Sequence, residues 1–255
     1  KNIISALVKE SPTDCLLNKA PHVSEHSIEV IVPFIQVVFP KAKIVPIIVA
    51  AEDMNILTRF SQALARVLKN RNALIVASSD LSHYPSRDQA NIVDQQVLRA
   101  IAKLDPAELR RTVQKNMNKN IPNLSTCACG EDPIIVAMLA AGYLGAVRGE
   151  VVSYANSGDV SIGERSRVVG YGAVVLAADA DAKTVALPVK QTPASESSIL
   201  TPGDKKFLLS LARETISRAL MTNTTPLARN FSANLQQPRG VFVTLKKKGE
   251  LRGCI

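Results

Sequence analysis

The chain contains no tryptophan, and aromatic residues make up only 4% of it. Single-stranded nucleic acid would find few stacking platforms here. Cysteine is scarce too. Cys15, Cys127, Cys129 and Cys254 are too few and too unevenly spaced for a disulfide scaffold, so a reducing, cytoplasmic setting is the expectation. No window approaches the roughly 18 uninterrupted apolar residues that a membrane span needs. No Walker A sequence, Gly-x-Gly-x-x-Gly fingerprint or His-Glu-x-x-His occurs. What is present is ordinary globular composition, 46% apolar and 21% charged over 255 residues, enough for one large domain or two unequal ones. The formal charge of +9 is unevenly spread. Residues 1–200 carry 21 basic and 19 acidic groups, whereas residues 201–255 carry 10 and 3. The surplus gathers at Lys205, Lys206, Arg213, Arg218 and Lys246-Lys247-Lys248, which reads as a solvated basic face, with phosphate binding the alternative.

Periodicity sets the expected architecture. Ile44–Ala50 and Ala73–Ala77 are short, nearly continuous apolar runs, like strands buried on both faces. Between them, Ile56, Leu57, Phe60, Leu64 and Val67 recur at helical steps. Helices are expected over Gln89–Lys103, over Pro106–Lys115 behind the Asp105-Pro106 start signal, and from Glu131 to about Leu144. Val151–Tyr154 and Val168–Leu176 read as further strands. Strands alternating with helices predict a layered α/β/α domain with a central, mostly buried sheet.

From residue 178 to 198 periodicity dissolves into Ala, Asp, Pro, Thr and Ser, which marks a linker. Beyond it come a helix over Lys205–Met221 and two strand-like runs, Val241–Leu245 and Leu251–Ile255, flanking a turn at Lys248-Gly249-Glu250. Residues 199–255 thus read as a partial α+β domain, too small to bury a good core. The chain starts at Lys1 rather than Met and stops inside a strand-like pattern, so it reads as a piece of a longer one, and its start says nothing firm about a leader.

Three settings carry groups able to do chemistry. In Glu25-His26-Ser27-Ile28-Glu29, a helical conformation would flank His26 with two carboxylates, which raise and orient an imidazole; alternatively Glu25 opens a helix and His26 stays half exposed. His22 follows Pro21 and reads as a surface residue. Ser78-Ser79-Asp80-Leu81-Ser82-His83-Tyr84 closes an apolar run, and on a helical turn Asp80 and His83 would face one cleft as an oriented general base; the alternative makes Asp80 a helix cap with His83 in water. In Cys127-Ala128-Cys129-Gly130 an extended chain would send the two sulfurs to opposite faces, so they are poor partners for one ion. Either sulfur is a candidate ligand or reactive thiolate, or else a small buried apolar group.

Glu25-His26-Ser27-Ile28-Glu29-Val30, the 78–84 segment, Cys129-Gly130-Glu131-Asp132-Pro133-Ile134 and Tyr154-Ala155-Asn156-Ser157-Gly158-Asp159 occur in the order of the Memo-like proteins, the B component of the AmmeMemoRadiSam system. The resemblance covers about residues 20–177 and assigns 1–177 to a Memo-like domain lacking its N-terminal part. Arg239-Gly240-Val241-Phe242-Val243-Thr244-Leu245 and Leu251-Arg252-Gly253-Cys254-Ile255 resemble the AMMECR domain, the A component, over 199–255.

The resemblance implies a fold similar to the class III extradiol dioxygenases, which use non-haem Fe(II), with a cysteine in place of the carboxylate ligand. That cysteine is Cys129; His83 takes the place of the general base, Asp80 lies beside it, and His26 is expected to line the same cavity. The family's two metal-binding histidines precede the Glu-His-Ser motif, so the complete parent is expected to hold Fe(II), or another transition metal, and this chain to bind it only weakly. The implied class is a metal-dependent oxidoreductase acting on an unidentified small molecule. The alternative is a non-enzymatic metal or redox scaffold. The system's name implies a radical-SAM partner. Cys254 reads either as a reactive thiol beside basic residues or as a buried strand residue.

Overall fold

In the computed structural model the described residues are 2–160, 163–178, 200–222, 224, 226, 231–236, 244–247 and 250–254. They divide into two compact units, Lys1–Val185 and Ala186–Ile255. The first is mixed α/β. Its helices are α1 (Ile3–Glu10), α2 (Pro21–Ser24), α3 (Val32–Val38), α4 (Met54–Leu68), α5 (Arg87–Ala102), α6 (Pro106–Met117) and α7 (Glu131–Tyr143). Two antiparallel strands follow, β1 (Ala146–Asn156) and β2 (Gly170–Ala178). The second unit holds α8 (Pro202–Thr222), a 3-10 turn (Ala233–Gln236) and the antiparallel pair β3 (Thr244–Lys247) and β4 (Glu250–Cys254).

Local chemistry explains the helix starts. The Asp53 carboxylate accepts from Asn55 N (2.7 Å) at the head of α4, and Asp105 accepts from Glu108 N (2.9 Å) at the head of α6, where Pro106 has no N–H to satisfy. Helix α5 buries Ala90, Val93, Val97, Leu98 and Ile101 at helical spacing and lies against both β1 and β2. Helix α7 buries Ile134, Ile135, Val136, Met138 and Ala140 and packs on α4. One continuous core joins these faces.

The expected helices from α4 to α8 form within a few residues of their expected bounds, and the hairpin near the C-terminus forms as β3–β4. Two expectations change. Ile44–Ala50 and Ala73–Ala77 belong to no strand ladder among the described residues. Val49, Ala51, Ile75 and Ala77 rest on the core, while Ile44, Ile47, Leu74 and Val76 face solvent. These runs are therefore only partly covered, and residues 74–77 alternate between the two sides. An apolar run read without its neighbours does not reveal how many of its faces are covered. The sheet of the first unit is correspondingly small, two antiparallel strands with Val147, Val152 and Val175 exposed. The expected linker at 178–198 lies outside the described residues beyond Ala178, as do 241–243 and the turn residues 248–249.

Leu98 is fully buried beneath the sheet. Leu98→Ala should lower unfolding free energy by about 2–5 kcal/mol in urea titrations. Ile92→Ala, on the exposed side of α5, should stay within about 0.5 kcal/mol of wild type.

Candidate functional site

Residues 80–84 do not form a helical turn. They run between two neighbours and are laced to both by the backbone. Leu81 N donates to Gly170 O (2.9 Å), Gly170 N to Ser82 O (2.9 Å) and Tyr84 N to Val168 O (2.6 Å) on one side. His83 N donates to Thr126 O (3.0 Å), and Ser125 N to His83 O (3.0 Å), on the other. Leu81 and Ser82 are buried, whereas Asp80 and His83 are partly open to solvent. Tyr84 takes a left-handed backbone (φ 73°), rare for an aromatic residue, and its ring is capped by the Arg167 guanidinium at 4.3 Å.

The second half of the site comes from the loop before α7. Cys127 is fully buried and Cys129 is exposed, as expected of alternate residues in extended chain. Cys129 Sγ accepts from Asp80 N (3.2 Å), and Cys129 N donates to Asp80 O (3.3 Å). Ser79 Oγ accepts from Gly130 N (2.8 Å) and lies 3.7 Å from the sulfur. A side chain at position 130 would put its Cβ 2.8 Å from Ser79 Cβ, so glycine is what lets the loops approach this closely. Glu131 and Asp132 turn away from the sulfur into ion pairs with Arg110, which also donates to Glu52 O. They fasten α7 rather than act at the site.

His83 Nε2 lies 3.3 Å from Asp80 Oδ2, and one ligand atom from each of Asp80, His83 and Cys129 falls within 4.8 Å of the other two. The structure thus gathers three of the four expected residues. His26 is not among them. The 25–29 segment is no helix: Glu25 ends α2 and its carboxylate accepts from His26 N and Ser27 N, leaving the imidazole exposed. Ser78 Oγ donates to Ser27 O (2.6 Å), so this segment touches, by its backbone, the extended run leading into the site. His22 is exposed in α2.

Electrostatics set the protonation. The hydrogen bond to Asp80, followed by that to Cys129, raises His83 to about 9 despite partial burial. For Cys129, desolvation opposes ionisation, but hydrogen bonds from His83, Ser79 and Asp80 N–H outweigh it and hold the thiol below its ordinary value. Cys127 goes the other way, pushed up to about 12 chiefly by burial. At neutral pH His83 is therefore an imidazolium beside a thiol more acidic than usual, while the buried Cys127 stays a thiol.

Reading the sequence for motifs missed Asp94. It lies in the buried stripe of α5 and accepts from Ser82 N, Ser82 Oγ and Tyr154 OH. An acid inside an otherwise apolar helical stripe was the available signal. The Tyr154–Asp159 motif is a scaffold for the end of β1: Asn156 N donates to Asp159 Oδ2, Gly158 N to Asn156 Oδ1, and Arg87 pairs with Asp159.

An α/β core that presents an aspartate, a histidine and a cysteine together defines a class of site, and comparison with known proteins agrees with the motifs. The family model described as Memo-like protein matches residues 1–175, and an AMMECR1 model matches 209–255. The chain belongs to the Memo-like family. It is 36% identical over 159 residues to a MEMO1 family protein of Nitrosopumilus maritimus, covering 62% of this chain and 54% of that one. To a MEMO1 family protein of Aeropyrum pernix it is 38% identical over 156 residues (60% and 52%), and to one of Aquifex aeolicus 39% over 152 residues (59% and 53%). The chain spans about half the length of the curated relatives it matches.

The raised imidazole makes stability pH-dependent with a definite sign. His83 binds its proton more tightly folded than unfolded, so its contribution is complete below pH 6.5 and is lost as pH climbs to about 9. In the metal-free chain, NMR titration of the His83 ring should give a midpoint near 9, and Asp80→Asn should move it down toward 6.5. An unchanged midpoint in that variant would show that Asp80 does not hold the proton.

Proposed function

We propose that this chain carries part of the centre of a metal-dependent oxidoreductase related to the class III extradiol dioxygenases. Cys129 supplies a thiolate to a transition ion, Fe(II) foremost, and the His83–Asp80 pair handles a proton beside it. The convergence of sulfur, imidazole and carboxylate within 4.8 Å supports this reading most directly. The donor suits such an ion: a thiol more acidic than usual offers a soft sulfur that matches a first-row transition metal better than Mg or Ca. When bound, the ion supplies Lewis acidity and one-electron chemistry. Cys129 is the one expected ligand that this chain supplies, so the chain alone would take up the ion weakly. The complete parent adds the two upstream histidines that the family resemblance implies.

The chain's own residues divide the work. Asp80 N–H and Ser79 Oγ fix the sulfur. The protonated His83 ring, held by Asp80 through Nε2, is positioned to donate to an anionic oxygen of a small-molecule substrate and to recover the proton afterwards. Asp80 orients the ring and offsets its positive charge. A reducing cytoplasm would keep the exposed sulfur free.

The exposure of Cys129 favours a second reading, a non-enzymatic scaffold that passes an ion or electron to a radical-SAM partner through an open thiolate. The AMMECR1 match beside the Memo-like region supports membership in the three-component system under either reading.

Cobalt(II) in place of iron tests the centre. Wild type should show sulfur-to-metal charge-transfer absorption that Cys129→Ser abolishes and Cys15→Ser leaves intact. Absorption that survives Cys129→Ser rejects the thiolate ligand. In the complete parent, assayed with iron and catechols, His83→Ala should lower turnover by about 10²–10⁴-fold. Iron bound without turnover in wild type selects the scaffold.

A further inference from the structure

Ser82 lies between the two site residues of its own segment, Asp80 and His83, and points the opposite way, into the core. There both its donors end on one group. Ser82 N reaches Asp94 Oδ1 at 2.9 Å, and Ser82 Oγ reaches Asp94 Oδ2 at 3.0 Å. Tyr154 OH, from β1, adds a third bond to Oδ2 at 2.8 Å. Asp94 is completely buried, and no ion pair to it is present among the described residues. On the far side of the carboxylate lies Gly170, the first residue of β2. A Cβ at position 170 would overlap Asp94 Oδ2. Gly170 in turn exchanges backbone bonds with Leu81 and Ser82. Helix α5, strand β1 and the head of β2 therefore meet at a single carboxylate, and what they grip there is the residue between Asp80 and His83.

We infer that Asp94 is the positioning residue of this centre: through Ser82 it fixes the direction in which Asp80 and His83 face Cys129. A carboxylate suits this task because it only accepts, so two oxygens can serve three donors without conflict. Burial raises its pKa, and the three donors oppose that rise. An amide could not replace it. Asparagine turns one acceptor into a donor, which must then face either the Ser82 N–H on one side or the Ser82 and Tyr154 hydroxyls on the other, and the 80–83 segment loses part of its hold. The inference takes the Asp80–His83–Cys129 cluster to be the working centre, and so rests on the reading above.

The test separates positioning from plain stability. Imidazole 15N shifts at one fixed pH are read in the metal-free chain, with the exposed His22 and His26 as internal references. Asp94→Asn should shift the His83 signals and leave the other two in place. Tyr154→Phe strips a donor from the same carboxylate without touching Ser82; it should cost stability yet leave His83 unmoved. A folded Asp94→Asn with unchanged His83 signals overturns the inference. So does a Tyr154→Phe that moves His83 as far as Asp94→Asn does, because the carboxylate would then matter only for core stability. If Asp94→Asn fails to fold, Ser82→Ala, which removes one bond and keeps the carboxylate, is read in the same way. In a cobalt titration, Asp94→Asn should weaken uptake by about tenfold or more. Wild type that takes up no cobalt sinks the metal reading alone, since the nitrogen shifts still decide the role of Asp94.

Discussion

Asp80 N–H donates to the Cys129 sulfur while Cys129 N–H donates to the Asp80 carbonyl, across 49 residues of sequence. This exchange constrains what the rest of the site can be. It fixes the sulfur relative to a backbone rather than to another flexible side chain. It also demands that two loops approach closely, which Gly130 permits and Ser79 completes by accepting the Gly130 N–H. Helix α7 then starts directly beyond the sulfur, and Arg110 ties its first turn to α6 and to the segment before α4.

The same geometry explains the division of charge. A surface histidine and a surface cysteine would each be close to neutral at physiological pH. Here each stabilises the ionised form of the other, and Asp80 adds to the imidazolium side. The result is an imidazolium next to a thiol that ionises more readily than usual.

Much of this was legible in the residues, for identifiable reasons. The helices were readable because α4, α5 and α6 keep their apolar stripes at regular spacing and carry side-chain caps. The opposite fates of Cys127 and Cys129 followed from the alternation of extended chain. Asp80 and His83 do meet, although the local conformation differs from the helical turn that their spacing suggested: the β-bridges that pair His83 with Thr126 and Val169 involve distant segments, and no local pattern announces them. Ile44–Ala50 and Ala73–Ala77 were misjudged for a related reason, since coverage of a strand's second face is decided by whatever packs there. His26 looked attractive because two acids flank it, yet Glu25 spends its carboxylate on backbone N–H groups instead. Asp94 escaped notice because helical periodicity counts apolar residues and passes over the lone polar one among them.

The two-residue offset between Cys127 and Cys129 has a chemical corollary. It sorts a pair of thiols that nearly touch in sequence into separate reactivity compartments, one sealed in hydrocarbon and the other facing solvent and holding its proton less tightly than usual. A bond between their sulfurs would require turning the inner one out through the core, so oxidative damage or covalent labelling of this loop begins, and for the folded chain ends, at the outer sulfur alone.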